Sequence, residues 1–210
     1  MKRISDLLKP FLSVIFGALL FLCFFDLLAS DGESLAIGIV AVVLAAYFLT
    51  VGILGSCLGD KFPAKTKAIL NACGVGAYPL FMGVYFLLLL ISRASNEWVT
   101  VGPMGWTIAI FSIAASLGLG VLFLCAFFSK KHFFIRSTFL FSCLFVLALL
   151  LDILLTNGNP ATLGSIVVLF VVLYAVYSGM LFNALKTLQE EYKKAPKQTK
   201  EEPKAEEEKK

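Results

Sequence analysis

The chain has 210 residues, of which 59% are hydrophobic and only 15% are charged, and its mean hydropathy is +0.89. A water-soluble fold of this size cannot bury so much apolar surface, so the composition predicts an integral membrane protein whose outer surface faces lipid. The net charge of +4 does not indicate nucleic-acid binding, because eight of the 18 basic residues lie after Leu185, mixed with seven of the 14 acidic residues.

Six apolar stretches are long enough to cross the hydrocarbon core, which takes roughly 20 residues of helix. Their Leu, Phe, Val and Ile residues do not alternate strictly with polar ones, which favours helices over barrel strands. The sequence therefore predicts an all-α integral membrane protein, a bundle of six transmembrane helices within residues 1–185. The spans cover approximately residues 10–29, 34–57, 68–92, 102–128, 133–156 and 160–185.

The first span has a competing interpretation. Residues 1–30 begin with basic residues and contain an apolar core, as a secretory signal peptide does. The apolar region is long, however, and Asp26 with its neighbouring leucines makes a poor cleavage region. We therefore expect the first span to be retained, whereas cleavage would leave the other five spans in the same orientation.

Positive charge on the connections predicts how the chain is threaded, because short loops rich in Lys and Arg stay in the cytoplasm. Nine basic residues lie on the N-terminal segment and after the second and fourth spans, and only Arg93 lies on the other side. Both termini are therefore predicted to be cytoplasmic. The nine residues are Lys2, Arg3, Lys9, Lys61, Lys65, Lys67, Lys130, Lys131 and Arg136.

Two spans end with an aspartate near the predicted outer surface. The pattern D-x5-G-x5-G begins at Asp26 and again at Asp152. This repetition favours three tandem helical hairpins, whereas convergence is the alternative, because outer turns favour Gly, Asn and Asp whatever their origin. The helix dipole disfavours a carboxylate at a helix C-terminus. We therefore hypothesise that Arg93 bridges Asp26, Asp152 or both.

The third span carries a proline among glycines. Pro79 lacks an N–H and removes a backbone hydrogen bond near Val75, which predicts a kinked or broken helix. Such breaks line substrate sites in transporters, but they also occur in ordinary membrane helices. Asn71 and Tyr78 are the polar side chains nearby. Asn71, Tyr78 and Pro79 therefore mark a candidate kink and cavity.

Small residues follow a four-residue spacing in two spans, at Ser112, Ser116 and Gly120 and at Gly55 and Gly59. Such faces let helices approach closely. We expect them to serve internal packing, with self-association as the second possibility.

No catalytic or cofactor motif accompanies these features. The five cysteines lie in apolar runs without a C-x-x-C pair, and His132 is the single histidine. The sequence contains no G-x-S-x-G, no H-E-x-x-H and no glycine-rich phosphate loop. We therefore expect neither an enzyme nor a bound metal or other cofactor.

Two functions fit this sequence. The favoured one is a non-enzymatic accessory or scaffold subunit in a bacterial cytoplasmic membrane, which packs with a membrane protein partner or with itself. The alternative is a small transporter or channel for an ion or a lipid-like solute, which would use the three charged residues near the outer surface. Residues 186–210 form a charged tail that we expect to be helical for about two turns and mostly disordered after that.

Overall fold

The structure, a computed structural model, describes residues 2–29, 32–58, 61, 63–95, 102–129, 131–156 and 163–201. Across these residues the chain is helical apart from short turns, and none of them forms a β-strand. Six helices are each long and apolar enough to cross a membrane, which confirms the predicted all-α fold at the level of helix number, length and composition. They are α1 (Lys2–Phe24), α2 (Glu33–Cys57), α3 (Ala64–Ser95), α4 (Pro103–Ser129), α5 (His132–Thr156) and α6 (Leu163–Glu201), with a short 3₁₀ segment (Phe25–Ala29) after α1.

α3 extends beyond its predicted span by three or four residues at each end, and two other helices extend much further. α1 begins at Lys2 rather than near residue 10, and α6 continues to Glu201, further than the two turns predicted after Leu185. Hydropathy locates where the chain becomes apolar, whereas Lys, Glu, Gln and Ala are strong helix formers that carry the helical backbone past that boundary. Residues 202–210 of the predicted disordered tail lie outside the described residues.

Two of the helices begin at residues suited to a helix start. α4 begins at Pro103, and proline is favoured at the first helical position because its missing N–H would have no intrahelical acceptor there. Gly32 directly precedes α2 and has a φ of +65°. Glycine adopts this conformation without strain, which explains its place in the turn between the first two helices.

The helices do not pack on one another equally. α1 packs most closely on α2, α3 on α4, and α4 on α5. α6 packs mainly on α1, makes fewer contacts with α5 and fewer still with α3. Among the pairs of consecutive helices, α5 and α6 therefore pack least closely on each other in the part of the chain that the structure describes.

Glycines set the closest approaches between helices. A Cβ atom added at Gly17 of α1 would lie 2.8 Å from the carbonyl oxygen of Ala45 and 3.0 Å from the amide nitrogen of Leu49, both on α2. A Cβ atom at Gly120 of α4 would lie 3.0 Å from the carbonyl oxygen of Gly76 on α3. Backbones approach this closely only where side chains are absent, and membrane helices gain van der Waals packing from it.

The core of the protein is aromatic. Phe16 is fully buried, and its ring centroid lies 4.6 Å from that of Phe48 and 4.9 Å from that of Tyr78, both in edge-to-face geometry. Tyr78 in turn lies 4.7 Å from Tyr177. These rings come from four helices (α1, α2, α3 and α6), so the cluster holds together elements that are distant in sequence.

The outer surface is also apolar. Phe11, Val43 and Phe133 are 57%, 64% and 71% exposed, on three different helices. Helices that are apolar on every face are typical of a lipid environment. Exposed leucine and phenylalanine side chains are stable there, because lipid tails are as apolar as they are. This surface agrees with the membrane location that composition predicts.

Candidate functional site

The most specific polar arrangement among the described residues lies at the proline of α3. In an α-helix the N–H of each residue bonds to the carbonyl four residues earlier, so Pro79 leaves the Val75 carbonyl without that partner. The Tyr177 hydroxyl of α6 donates a hydrogen bond to this carbonyl oxygen, at 2.9 Å. α3 continues through Pro79 and is not broken there. A side chain from another helix therefore replaces the missing backbone bond.

Tyr78 lies next to this bond and is also fully buried. Its hydroxyl interacts with that of Tyr174 on α6, but the contact does not have the geometry of a hydrogen bond. Tyr78, Tyr174 and Tyr177 thus bring uncharged hydroxyl groups together between α3 and α6. They can donate or accept hydrogen bonds, but they supply no charge to an ion.

Aromatic rings fill the space around these tyrosines. The Phe145 ring of α5 lies 6.0 Å from the Tyr177 ring, and the Phe16 ring of α1 lies 5.8 Å from it. The buried polar side chains among the described residues are, apart from the tyrosines, four hydroxyls: Ser13, Ser112, Ser116 and Thr138. Ser116 and Thr138 donate to carbonyls in their own helices, at 2.6 and 2.7 Å. This part of the interior is a packed core and does not form a polar path.

The predicted charged cluster lies outside the described side chains. Asp26 belongs to the 3₁₀ segment, Asp152 to the end of α5 and Arg93 to the last turn of α3. The proposed bridge through Arg93 therefore stays a prediction. The two aspartates differ in backbone conformation, 3₁₀ against α-helical, although the sequence pattern around them is the same.

The structure brings together two of the three predicted cavity residues. Pro79 and Tyr78 are buried in the tyrosine cluster, whereas half-buried Asn71 lies two turns earlier in α3, about 10 Å along the axis. Sequence reasoning missed Tyr177, the residue that completes the site. The sequence did show a tyrosine in an apolar helix, which is a candidate hydrogen-bond donor. No nearby residue, however, indicates that this tyrosine binds the Val75 carbonyl, which is 102 positions away.

The described residues of the predicted small-residue faces are buried. Ser112, Ser116 and Gly120 are all buried on α4, and Gly120 faces α3. Gly55 is buried near the end of α2, where its carbonyl oxygen accepts a hydrogen bond from the Lys67 ammonium at 3.5 Å. Gly59 lies outside the described residues.

Grooves of similar volume open between two pairs of the described helices. One, of about 460 Å³, lies between α2 and α3 and is lined almost entirely by apolar groups, including Val43, Ala77 and Val84. The other, of about 430 Å³, lies between α5 and α6. It includes the hydroxyl residues Ser142 and Ser178, and Tyr177 forms part of its wall. The second groove therefore connects the tyrosine cluster with the loosest consecutive helix pair.

The hydrogen bond of Tyr177 can be tested by a double-mutant cycle with Pro79. We expect Tyr177→Phe to lower the free energy of unfolding by about 0.6 kcal/mol, the average for hydrogen bonds between membrane helices, and by no more than about 1.7 kcal/mol, the largest such value. In a Pro79→Ala background the new alanine has an N–H that can bond to the Val75 carbonyl, so the same change should cost less. Unfolding in mixed micelles measures all four proteins. Equal losses in both backgrounds would show that the proline does not create the need for this bond.

Comparisons of the chain with protein-family models, with curated protein sequences and with solved structures found no match.

Proposed function

We propose that this chain is a non-enzymatic, multi-pass accessory or scaffold subunit that packs with a protein partner in the membrane. The observation that carries the proposal is the filled aromatic interior. The described core offers hydroxyl groups but no buried charged side chain, and rings occupy the space around those hydroxyls. A carrier of ions or polar solutes needs several convergent polar groups along its path. An apolar body that presents packing surfaces suits a subunit better.

The partner surface that we propose is on α5. This helix buries only 28% of its apolar span, against 56% for α3. Leu140, Leu147 and Leu150 lie along one side of it and are 59%, 48% and 49% exposed. Association of membrane helices depends on van der Waals packing of such side chains rather than on escape from water. A second protein would cover this side of α5.

We also propose that the six helices form one transmembrane bundle with both termini in the cytoplasm of a bacterial cell. Basic residues on the connections after α2 and α4 support this orientation, because such loops stay inside. Retention of the first span is supported by its packing, since α1 contributes Phe16, Leu20 and Phe24 to the core. The three-hairpin arrangement stays a prediction that the packing does not favour, because α5 packs more on α4 than on α6.

The test is the composition of the complex after gentle extraction from its own membrane. We expect a second membrane protein in fixed ratio, and we expect Leu140→Trp on α5 to reduce that ratio. Val121→Trp on α4, where Val121 is 52% exposed, is the matched control and should leave the complex intact. A chain that is recovered alone, or only with itself, would contradict the proposal. Transport by Asp26 and Asp152 would then be tested with Asp→Asn variants in reconstituted vesicles.

A further inference from the structure

We propose that α5 and α6 bind one anionic phospholipid, with its phosphate between Arg136 and Lys186 and an acyl chain in the groove between the two helices. The site does not rest on the proposed accessory role, because it needs no second protein. It adjoins the partner surface, since Leu150 follows Val146 by four residues and Cys143 by seven. It would select a lipid by headgroup charge and hold it by apolar burial.

The depth of the groove matches one leaflet. On α5 the lining residues run from Phe139 to Val146, and on α6 from Leu185 back to Tyr177. At 1.5 Å per residue these stretches measure about 10 and 12 Å. One leaflet supplies half of a hydrocarbon core of about 30 Å. A lipid acyl chain that starts at the membrane surface beside α5 therefore reaches the end of the groove without crossing the midplane of the bilayer.

Basic residues continue the faces of both helices at the same end of the groove. Arg136 precedes Phe139 by three residues and Cys143 by seven, so it lies on the groove side of α5. Lys186 follows Phe182 by four residues and Ser178 by eight, which places it on the groove side of α6. Both side chains are exposed. The two cations therefore flank the mouth of the groove.

The charges around this mouth favour an anion. Lys131 is also exposed, on the connection that leads into α5. Glu190 is the nearest acidic residue along α6, one turn further from the groove than Lys186, and it is exposed to solvent. Among the residues of these segments whose side chains the structure describes, three cations (Lys131, Arg136 and Lys186) and one carboxylate (Glu190) lie beyond this end of the groove. Each basic residue near a membrane surface strengthens binding of an anionic lipid.

The lining suits a lipid chain better than a packed helix. Its volume of about 430 Å³ falls within the usual range of ligand sites, about 300–1,000 Å³. Ser142 already donates its hydroxyl to the Phe139 carbonyl at 2.6 Å, so it presents no unsatisfied donor to the groove. The groove between α2 and α3 is of similar size but lies deeper. Its α3 wall starts at Cys73, about 9 Å beyond Lys67.

The experiment measures phospholipid bound to the purified full chain by native mass spectrometry, with phosphatidylglycerol or phosphatidylcholine added to the detergent solution. We expect one phosphatidylglycerol to bind, about tenfold or more in preference to phosphatidylcholine. Arg136→Gln combined with Lys186→Gln should weaken phosphatidylglycerol binding by about 10- to 30-fold and remove the preference. The matched control, Lys61→Gln with Lys65→Gln, removes the same charge from the other basic connection and should leave binding unchanged.

A second variant tests the binding of the lipid acyl chain rather than that of the headgroup. Cys143 is exposed and lines the groove, so Cys143→Phe should fill it and reduce the binding of both lipids equally. The proposal is wrong if the wild-type protein binds no phospholipid. It is also wrong if the Lys61 and Lys65 control loses as much phosphatidylglycerol binding as the Arg136 and Lys186 variant, or if Cys143→Phe leaves the binding of both lipids unchanged. Elution of each variant as a single species establishes that it is folded before lipid is added.

Discussion

Replacing Phe16 by alanine is expected to destabilise the protein by about 3–5 kcal/mol, the range for removal of a buried phenylalanine. The ring is fully buried and touches Phe48, Tyr78 and Tyr177, with centroids 4.6, 4.9 and 5.8 Å away. Its loss would open a cavity where α1, α2, α3 and α6 meet. None of the neighbouring rings can fill that space without leaving its own contacts.

The matched control is Phe11→Ala, one and a half turns earlier in the same helix. Phe11 is 57% exposed, so this change removes the same atoms without creating an internal cavity. We expect a loss below about 1 kcal/mol. Unfolding by a denaturing detergent, followed by the circular dichroism of the aromatic residues, measures both variants. If the two alanine variants lose the same free energy, the aromatic cluster does not hold the helices together.

Replacing Gly17 by alanine is expected to lower the free energy of unfolding by about 1–3 kcal/mol, the usual cost of overpacking. The added methyl group would lie 2.8 Å from the carbonyl oxygen of Ala45 and 3.0 Å from the amide nitrogen of Leu49. Both neighbours are backbone atoms, which cannot rotate away as a side chain can. α1 and α2 would have to separate, and the packing along their whole interface would weaken.

Gly179→Ala on α6 is expected to raise the free energy of unfolding, the opposite of the effect of Gly17→Ala. No atom lies within 4 Å of a Cβ added at Gly179, and alanine is favoured over glycine in a helix by up to about 1 kcal/mol. Comparison of Gly17→Ala with Gly179→Ala therefore separates the effect of helix propensity from the effect of steric overlap between helices. Thermal unfolding in the same detergent measures both. Stabilisation by Gly17→Ala would mean that α1 and α2 are not held at the distance seen here.

These results also bear on the two proposals. Gly17 and Phe16 join α1 to α2, α3 and α6, away from the exposed side of α5. Variants there should change stability but leave the choice of membrane partner and the preference for anionic lipid unchanged in the fraction that stays folded. Loss of the partner or of the lipid from stable variants on α5 would in turn place those functions on its surface.

The sequence by itself determined the class of the protein and the number of helices. Hydropathy over some 20 consecutive residues is a local property, so the chain need not fold for the spans to be recognised. The turn glycine before α2 and the missing N–H of Pro79 are local in the same sense, because each depends on the chemistry of one residue. The lengths of α1 and α6 were less accessible, because hydropathy does not detect a helix that continues through polar residues.

Only the tertiary structure decided which groups meet. The sequence predicts that the proline frees a carbonyl near Val75, but the donor that binds it, Tyr177, is 102 positions away. The spacing of Ser112, Ser116 and Gly120 predicted a packed face, whereas Gly17, which follows Ser13 by four residues, was not identified from the same spacing. In a membrane every face of a helix is apolar, so the contrast between polar and apolar sides that marks the buried face of a soluble helix is absent. Which faces pack together, and which grooves stay open, therefore depends on the shapes of side chains from different helices, and those meet only in the folded chain.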